Sequence, residues 1–181
     1  SRETLDLILD ADLSVAETVC LAGNHEQTML DFIAAPDTAL NWLDYGGIET
    51  LESYDIDVDR RALATGFGIE RLAARLDAAL PARHRRFLET LPVSHTVGDY
   101  LFVHAGIRPG VPLGQQERDD LMWIRDEFLD SGADHGKVVV HGHTPVPEPE
   151  RLPNRISIDT GAYMTSRLTA AVLEGSDVRF L

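Results

Sequence analysis

Residues 138–145 read Val-Val-Val-His-Gly-His-Thr-Pro. Three β-branched residues in succession predict a buried strand, and Gly142 ends it. The chain then passes straight into a cluster of imidazoles. The same arrangement recurs three times. Thr18-Val19-Cys20-Leu21-Ala22 runs into Gly23-Asn24-His25-Glu26, Tyr100 to Val103 into His104-Ala105-Gly106, and Arg155 to Ile158 into Asp159-Thr160-Gly161-Ala162. Helical periodicity fills much of the rest, and alternation of helix and strand predicts a layered α/β domain. Ligands of such folds bind beyond the carboxyl ends of the strands, so the four clusters are expected to converge.

The remaining elements are read from periodicity and breakers. Ser1 and Glu3 suit the start of a helix that ends near Asp12. Met29, Leu30 and Ile33 share a face of a helix from Glu26 to about Ala34. Gly46-Gly47 reads as a turn that opens no helix, and the acidic stretch from Glu49 to Asp59 as a solvated face. Helices follow from Ile69 to Leu80 and, with Pro81 at a first helical position, to Leu91. Val93 to Val97 and Tyr100 to His104 form a hairpin across Gly98-Asp99. Leu121 to Leu129 reads as one amphipathic helix, and Leu168 to Leu181 as a final hairpin.

Composition limits the partners. The 181 residues carry a net charge of −14, which opposes sequence-blind binding to nucleic acid or to an anionic membrane. An anionic substrate therefore needs locally focused positive charge, from metal ions or a few arginines. A chain of this length can bury about 70% of its unfolded surface and form one domain over residues 1–181 without staples. The lone Cys20 permits no internal disulfide, which fits a reducing cytoplasm. No apolar run approaches the ~18 residues of a membrane span, and no basic leader precedes an apolar stretch.

Imidazoles with amide or carboxylate oxygens suit Mn, Fe or Zn. The long spacings between clusters exclude a finger or an HExxH site, so only a folded domain could assemble the ligands.

In order, Gly-Asn-His-Glu, His-Ala-Gly, Gly-His-Thr-Pro and Asp-Thr-Gly-Ala resemble the calcineurin-like metallophosphoesterases. Residues 45–54 (Tyr-Gly-Gly-Ile-Glu-Thr-Leu-Glu-Ser-Tyr), 107–110 and Met122-Trp123-Ile124-Arg125 extend the similarity to the bacterial Ser/Thr phosphoprotein phosphatase branch, which includes the symmetrical diadenosine tetraphosphatases. The resemblance implies an α/β/β/α sandwich of two mixed sheets flanked by helices. It implies two divalent metal ions, Mn foremost, with Asn24, His104 and His143 holding one of them. His25 would be the general acid and Arg125 a phosphate clamp, serving in-line attack by a metal-bridging hydroxide. The implied substrate is a phosphorylated protein or a small phosphoester. Hydrolysis of dinucleoside polyphosphates is the alternative, and a non-catalytic phosphoprotein binder a third. The Asp-x-His and GDxVDRG motifs that supply the other metal's ligands in this family do not occur here. Val58-Asp59-Arg60-Arg61 follows Gly-Asn-His-Glu and does not replace them. The resemblance therefore implies an N-terminal segment outside this sequence, and a chain inactive on its own.

Simpler roles are expected for other residues. His141 is expected on the opposite side of the strand from His143, as a packing residue. Arg108 positions a loop, Tyr163 packs in one, and Cys20 sits in a core strand. His84, His95 and His135 read as surface residues.

Overall fold

The computed structural model describes residues 1–11, 16–59, 61, 63 and 65–181. The chain folds as two compact units. One comprises Ser1–Cys20 with His25–Leu91, the other Leu21–Asn24 with Pro92–Leu181.

The described part of the first unit is helical: α1 (Arg2–Asp10), α2 (Asn24–Ala34, whose first residue belongs to the second unit), α3 (Gly47–Ser53), α4 (Gly66–Ala79) and α5 (Ala82–Thr90). Each helix has a readable cause. Ile69, Leu72, Ala73 and Leu76 recur at helical spacing on α4 and are all buried, and Thr65 caps it by accepting the Gly68 N–H at 3.1 Å. The core gathers Met29, Phe32, Trp42, Leu51, Leu76 and Leu88, with Phe32 and Trp42 rings 5.3 Å apart.

Four expectations change here. Ser1 precedes α1, but its hydroxyl pairs with Thr50 Oγ1 at 2.9 Å and caps nothing. The end of that helix expected near Asp12, and Arg60, lie outside the described residues. Gly46-Gly47 does open a helix: Gly46 takes φ +99°, and a Cβ on Gly47 would lie 2.6 Å from the Trp42 carbonyl oxygen. The "solvated" acidic stretch therefore has a core side, with Ile48, Leu51, Tyr54 and Ile56 buried. His84 is no surface residue. It is fully buried, paired with Tyr54 Oη at 2.9 Å and Asp6 Oδ1 at 3.0 Å. Neither partner is near it in sequence, so no local pattern announces the pairing. Burial pushes the Tyr54 hydroxyl up to about 12.

The second unit is built on a mixed five-stranded sheet: β1 (Ser94–Val97), β2 (Tyr100–Val103), β3 (Val138–His141), β4 (Glu150–Arg151) and β5 (Arg155–Ser157), in the order β1-β2-β3-β5-β4. β2, β3 and β5 run parallel, while β1 and β4 pair antiparallel at the edges. The short helices α6 (Arg118–Trp123) and α7 (Asp126–Leu129) pack on it through Leu121, Ile124 and Phe128 against Leu101, Val103 and Val139. The single helix expected over Leu121–Leu129 is therefore two. Arg125, at φ −131° and ψ −107°, breaks it, which lets both Ile124 and Phe128 reach the core. α8 (Ala162–Thr165) and the antiparallel ribbon of β6 (Ala171–Glu174) and β7 (Asp177–Phe180) complete the unit. Among the described residues the second sheet has these two strands alone.

Thr18–Ala22 was expected as a core strand. It joins no ladder among the described residues, Val19 is exposed and Cys20 half-buried, and Ala22 N–H donates to the Pro92 carbonyl at 2.8 Å. No helix among the described residues is long and apolar enough to cross a membrane.

Candidate functional site

Three of the four polar clusters follow the parallel strands β2, β3 and β5, so all three leave the same edge of the sheet. The Gly142 N–H donates to the His104 carbonyl at 2.8 Å and ties the first two clusters together. A Cβ on Gly142 would meet Asp159 Cβ at 3.4 Å, which brings in the third. Asn24 arrives as the first residue of α2.

The result is a cluster of three side chains from distant parts of the chain. His104 Nε2 lies 2.8 Å from Asn24 Oδ1 and 3.2 Å from His143 Nδ1. Asn24 is buried and both histidines are half-buried. His143 adopts φ +66°, a left-handed conformation rare for a side chain of its size. Such backbone persists only where its surroundings enforce it.

The spacing bears on whether these atoms suit a metal ion. Two donors each ~2.1 Å from one cation, at right angles, lie about 3 Å apart. Both separations are of that size, and the donors are one carboxamide oxygen and two imidazole nitrogens, a set that accepts Mn, Fe or Zn. The two distances to His104 Nε2 are thus compatible with donors that share one divalent cation. Among the described residues no group of three or more His, Cys, Asp and Glu side chains is placed to hold a metal, so no all-ionisable second centre accompanies the trio.

Around the trio, Arg125 is exposed at the α6–α7 break. Its Nη1 donates to Thr144 Oγ1 at 3.1 Å and, more weakly, to the His143 carbonyl at 3.4 Å. The guanidinium thus stands beside the trio, though not on a helix as expected. Thr144, which holds it, was not singled out by sequence reasoning. Its place in Gly-His-Thr-Pro was the available signal. Trp123 is 47% exposed, with its ring centroid 6.0 Å from that of His143 at an 80° interplanar angle.

His25 is exposed at the second position of α2. Its Cε1 lies 3.7 Å from where a Cβ on Gly46 would stand, so the glycine leaves room beside the imidazole. His141 packs against Phe128, and alternation does not explain it: period two puts positions 141 and 143 on one face, but β3 ends at His141 and the left-handed backbone of His143 takes it out of the strand pattern. His141 is 1% exposed, its ring is 5.0 Å from that of Phe128, and burial pushes it down to about 4, so it is neutral at physiological pH. His135 is also partly buried, 5.8 Å from the Phe128 ring, and burial lowers it too. Arg108 has a loop-holding geometry: its fork donates to both Asp120 oxygens at 2.7 and 2.6 Å, and to Glu127. Tyr163 packs in no loop. It stands 85% exposed on α8.

The chain resembles bis(5'-nucleosyl)-tetraphosphatases of bacilli. It is 29% identical over 135 residues to the asymmetrical bis(5'-nucleosyl)-tetraphosphatase PrpE of Bacillus thuringiensis (strain Al Hakam), a match covering 61% of this chain and 54% of that protein. The same figures hold for PrpE of Bacillus cereus (strain AH820) and of Bacillus anthracis (strain CDC 684 / NRRL 3495). The chain thus spans about half the length of the curated relatives it matches. A solved structure provisionally assigned as a diadenosine tetraphosphatase superposes with a TM-score of 0.58 at 18% identity, covering 91% of this chain and 68% of that one. That likeness shows the fold alone: a mixed α/β architecture with a mixed sheet flanked by helices. No protein-family model matches the chain.

Proposed function

We propose that the protein is a metal-dependent phosphoester hydrolase whose substrates are dinucleoside polyphosphates. The convergence of Asn24 Oδ1, His104 Nε2 and His143 Nδ1 carries this reading. These atoms would hold one divalent cation. When bound, a divalent ion there supplies Lewis acidity toward phosphoryl oxygens and a lowered pKa for water.

The chain's own residues supply the rest. Arg125, a planar fork of donors beside the trio, binds phosphate oxygens and orients the scissile phosphorus. It also answers the charge problem of an acidic protein by placing a cation where the anion must sit. His25 gives a proton to the leaving-group oxygen, a task that suits a solvent-exposed imidazole.

The relatives' names favour nucleotides over phosphoproteins, which reverses the order that the motifs alone imply. They also carry the asymmetrical designation, where the motifs resemble the symmetrical branch. Phosphoserine and phosphothreonine in proteins remain the second reading, favoured by Tyr45–Tyr54 and Met122–Arg125. Side-by-side kinetics on diadenosine tetraphosphate and a phosphopeptide, with the full-length protein and Mn²⁺, decide between them. At least a tenfold higher kcat/KM for the nucleotide is expected, and the ratio of products separates asymmetrical from symmetrical cleavage. A preference for the phosphopeptide overturns the substrate assignment. Retained Mn²⁺ binding with turnover of neither substrate overturns hydrolysis and leaves the non-catalytic binder.

A further inference from the structure

We infer that Trp123 is the platform on which a nucleobase of the substrate stacks. The inference rests on the nucleotide reading above and adds the residue that recognises the nucleoside. The chain has two tryptophans, and they differ sharply. Trp42 is 4% exposed and packs on Phe32 in a core. Trp123 leaves nearly half its surface in solvent, an unusual place for the largest apolar side chain.

Its surroundings argue against an accidental exposure. Met122 before it and Ile124 after it are both buried, so the backbone that presents the indole is pinned on each side. The ring stands next to His143, one of the three converging side chains, and two residues before Arg125. An aromatic plane on a fixed backbone, with a guanidinium and a cation-fitting trio beside it, is what a base linked to a polyphosphate requires. The phosphates bind the charged groups and the base covers the indole. Every base has a π-face, so such a platform accepts purines and pyrimidines alike, and stacking in comparable sites is worth a roughly 5- to 150-fold change in affinity per base.

The test uses the full-length protein and two readouts. In the first, tryptophan fluorescence is titrated with AMP and with ribose 5-phosphate. The expected result is saturable quenching by AMP alone, absent from Trp123→Phe, in which the fluorophore at this position is gone. The second readout is kinetic. Trp123→Ala should raise KM for diadenosine tetraphosphate far more than it lowers kcat. Its loss in kcat/KM should exceed the loss on phosphoserine by roughly 5- to 150-fold. Trp123→Phe, which keeps a ring, should recover most of that difference. Equal losses on the two substrates would mean that Trp123 merely props His143, and would overturn the inference. So would equal quenching by ribose 5-phosphate, or AMP quenching that survives in Trp123→Phe. The two readings fail separately. AMP quenching without dinucleotide hydrolysis supports the platform and refutes the activity, while hydrolysis without quenching does the reverse.

Discussion

Gly106, the last residue of the His-Ala-Gly cluster, has a measurable packing role. A methyl added there would lie 2.3 Å from Phe128 Cδ1, 2.7 Å from Phe128 Cγ and 2.9 Å from Ile124 Cγ2. Phe128 cannot swing away cheaply, because it is fully buried and its ring meets those of His141 and His135 at 5.0 and 5.8 Å. Overpacking of this kind costs about 1–3 kcal/mol. The Gly106 backbone is not left-handed, so alanine also gains ~0.4–1 kcal/mol by restricting the unfolded chain. Gly106→Ala should therefore destabilise by a net ~1–2 kcal/mol, read as a lower urea midpoint with an unchanged slope by circular dichroism. Phe128→Leu opens the space that the methyl needs. The double variant should then lose at least 0.5 kcal/mol less than the two single losses combined, the scale of coupling between touching residues. A midpoint for Gly106→Ala equal to that of the parent, or strict additivity in the double variant, would show that the glycine answers to something other than Phe128.

Three further outcomes are expected. His25→Ala should cost ~10²–10⁴ in kcat on substrates whose leaving oxygen must be protonated and far less on p-nitrophenyl phosphate, whose phenolate leaves unaided. Equal losses in steady-state assays would remove the proton-donor role. Tyr54, held protonated by burial up to about 12, deprotonates sooner when the chain unfolds, at its ordinary value near 10. Its raised value thus contributes stability that is complete below pH 10 and lost as pH rises toward 12. Urea midpoints across that window should fall, and Tyr54→Phe should flatten the fall. Arg108→Ala should lower the urea midpoint only slightly, and less at 1 M salt, because Arg108 and Glu127 are exposed even though Asp120 is half-buried. Mn²⁺ titrations should leave the affinity of that variant unchanged, since Arg108 only braces its loop.

The trio was legible because its signal is chemical and local to each strand end. A donor side chain directly after an apolar run survives any uncertainty in element boundaries. The parallel order of β2, β3 and β5, which strand-end clustering presupposes, could be anticipated from helix–strand alternation alone. Long-range pairings were illegible. Nothing near His84 in sequence points to Asp6 or Tyr54, and Thr18–Ala22 has a strand's composition without a ladder partner among the described residues. The break at Arg125 was hidden for a different reason. Leu121 to Leu129 keeps a helical apolar spacing across it, and only the depth reached by Ile124 and Phe128 makes two helices of one. The exposure of Trp123 is likewise a property of the fold that no local pattern announces.

His104 meets Asn24 from 80 residues downstream, and His143 follows a further 39 residues on. At ~5–20 residues per second on the ribosome, on the order of ten seconds separates the synthesis of the first donor from that of the last. A nascent chain therefore carries Asn24 for 119 residues, and His104 for 39, before the third side chain is made. The three can gather only once β3 has emerged and docked beside β2.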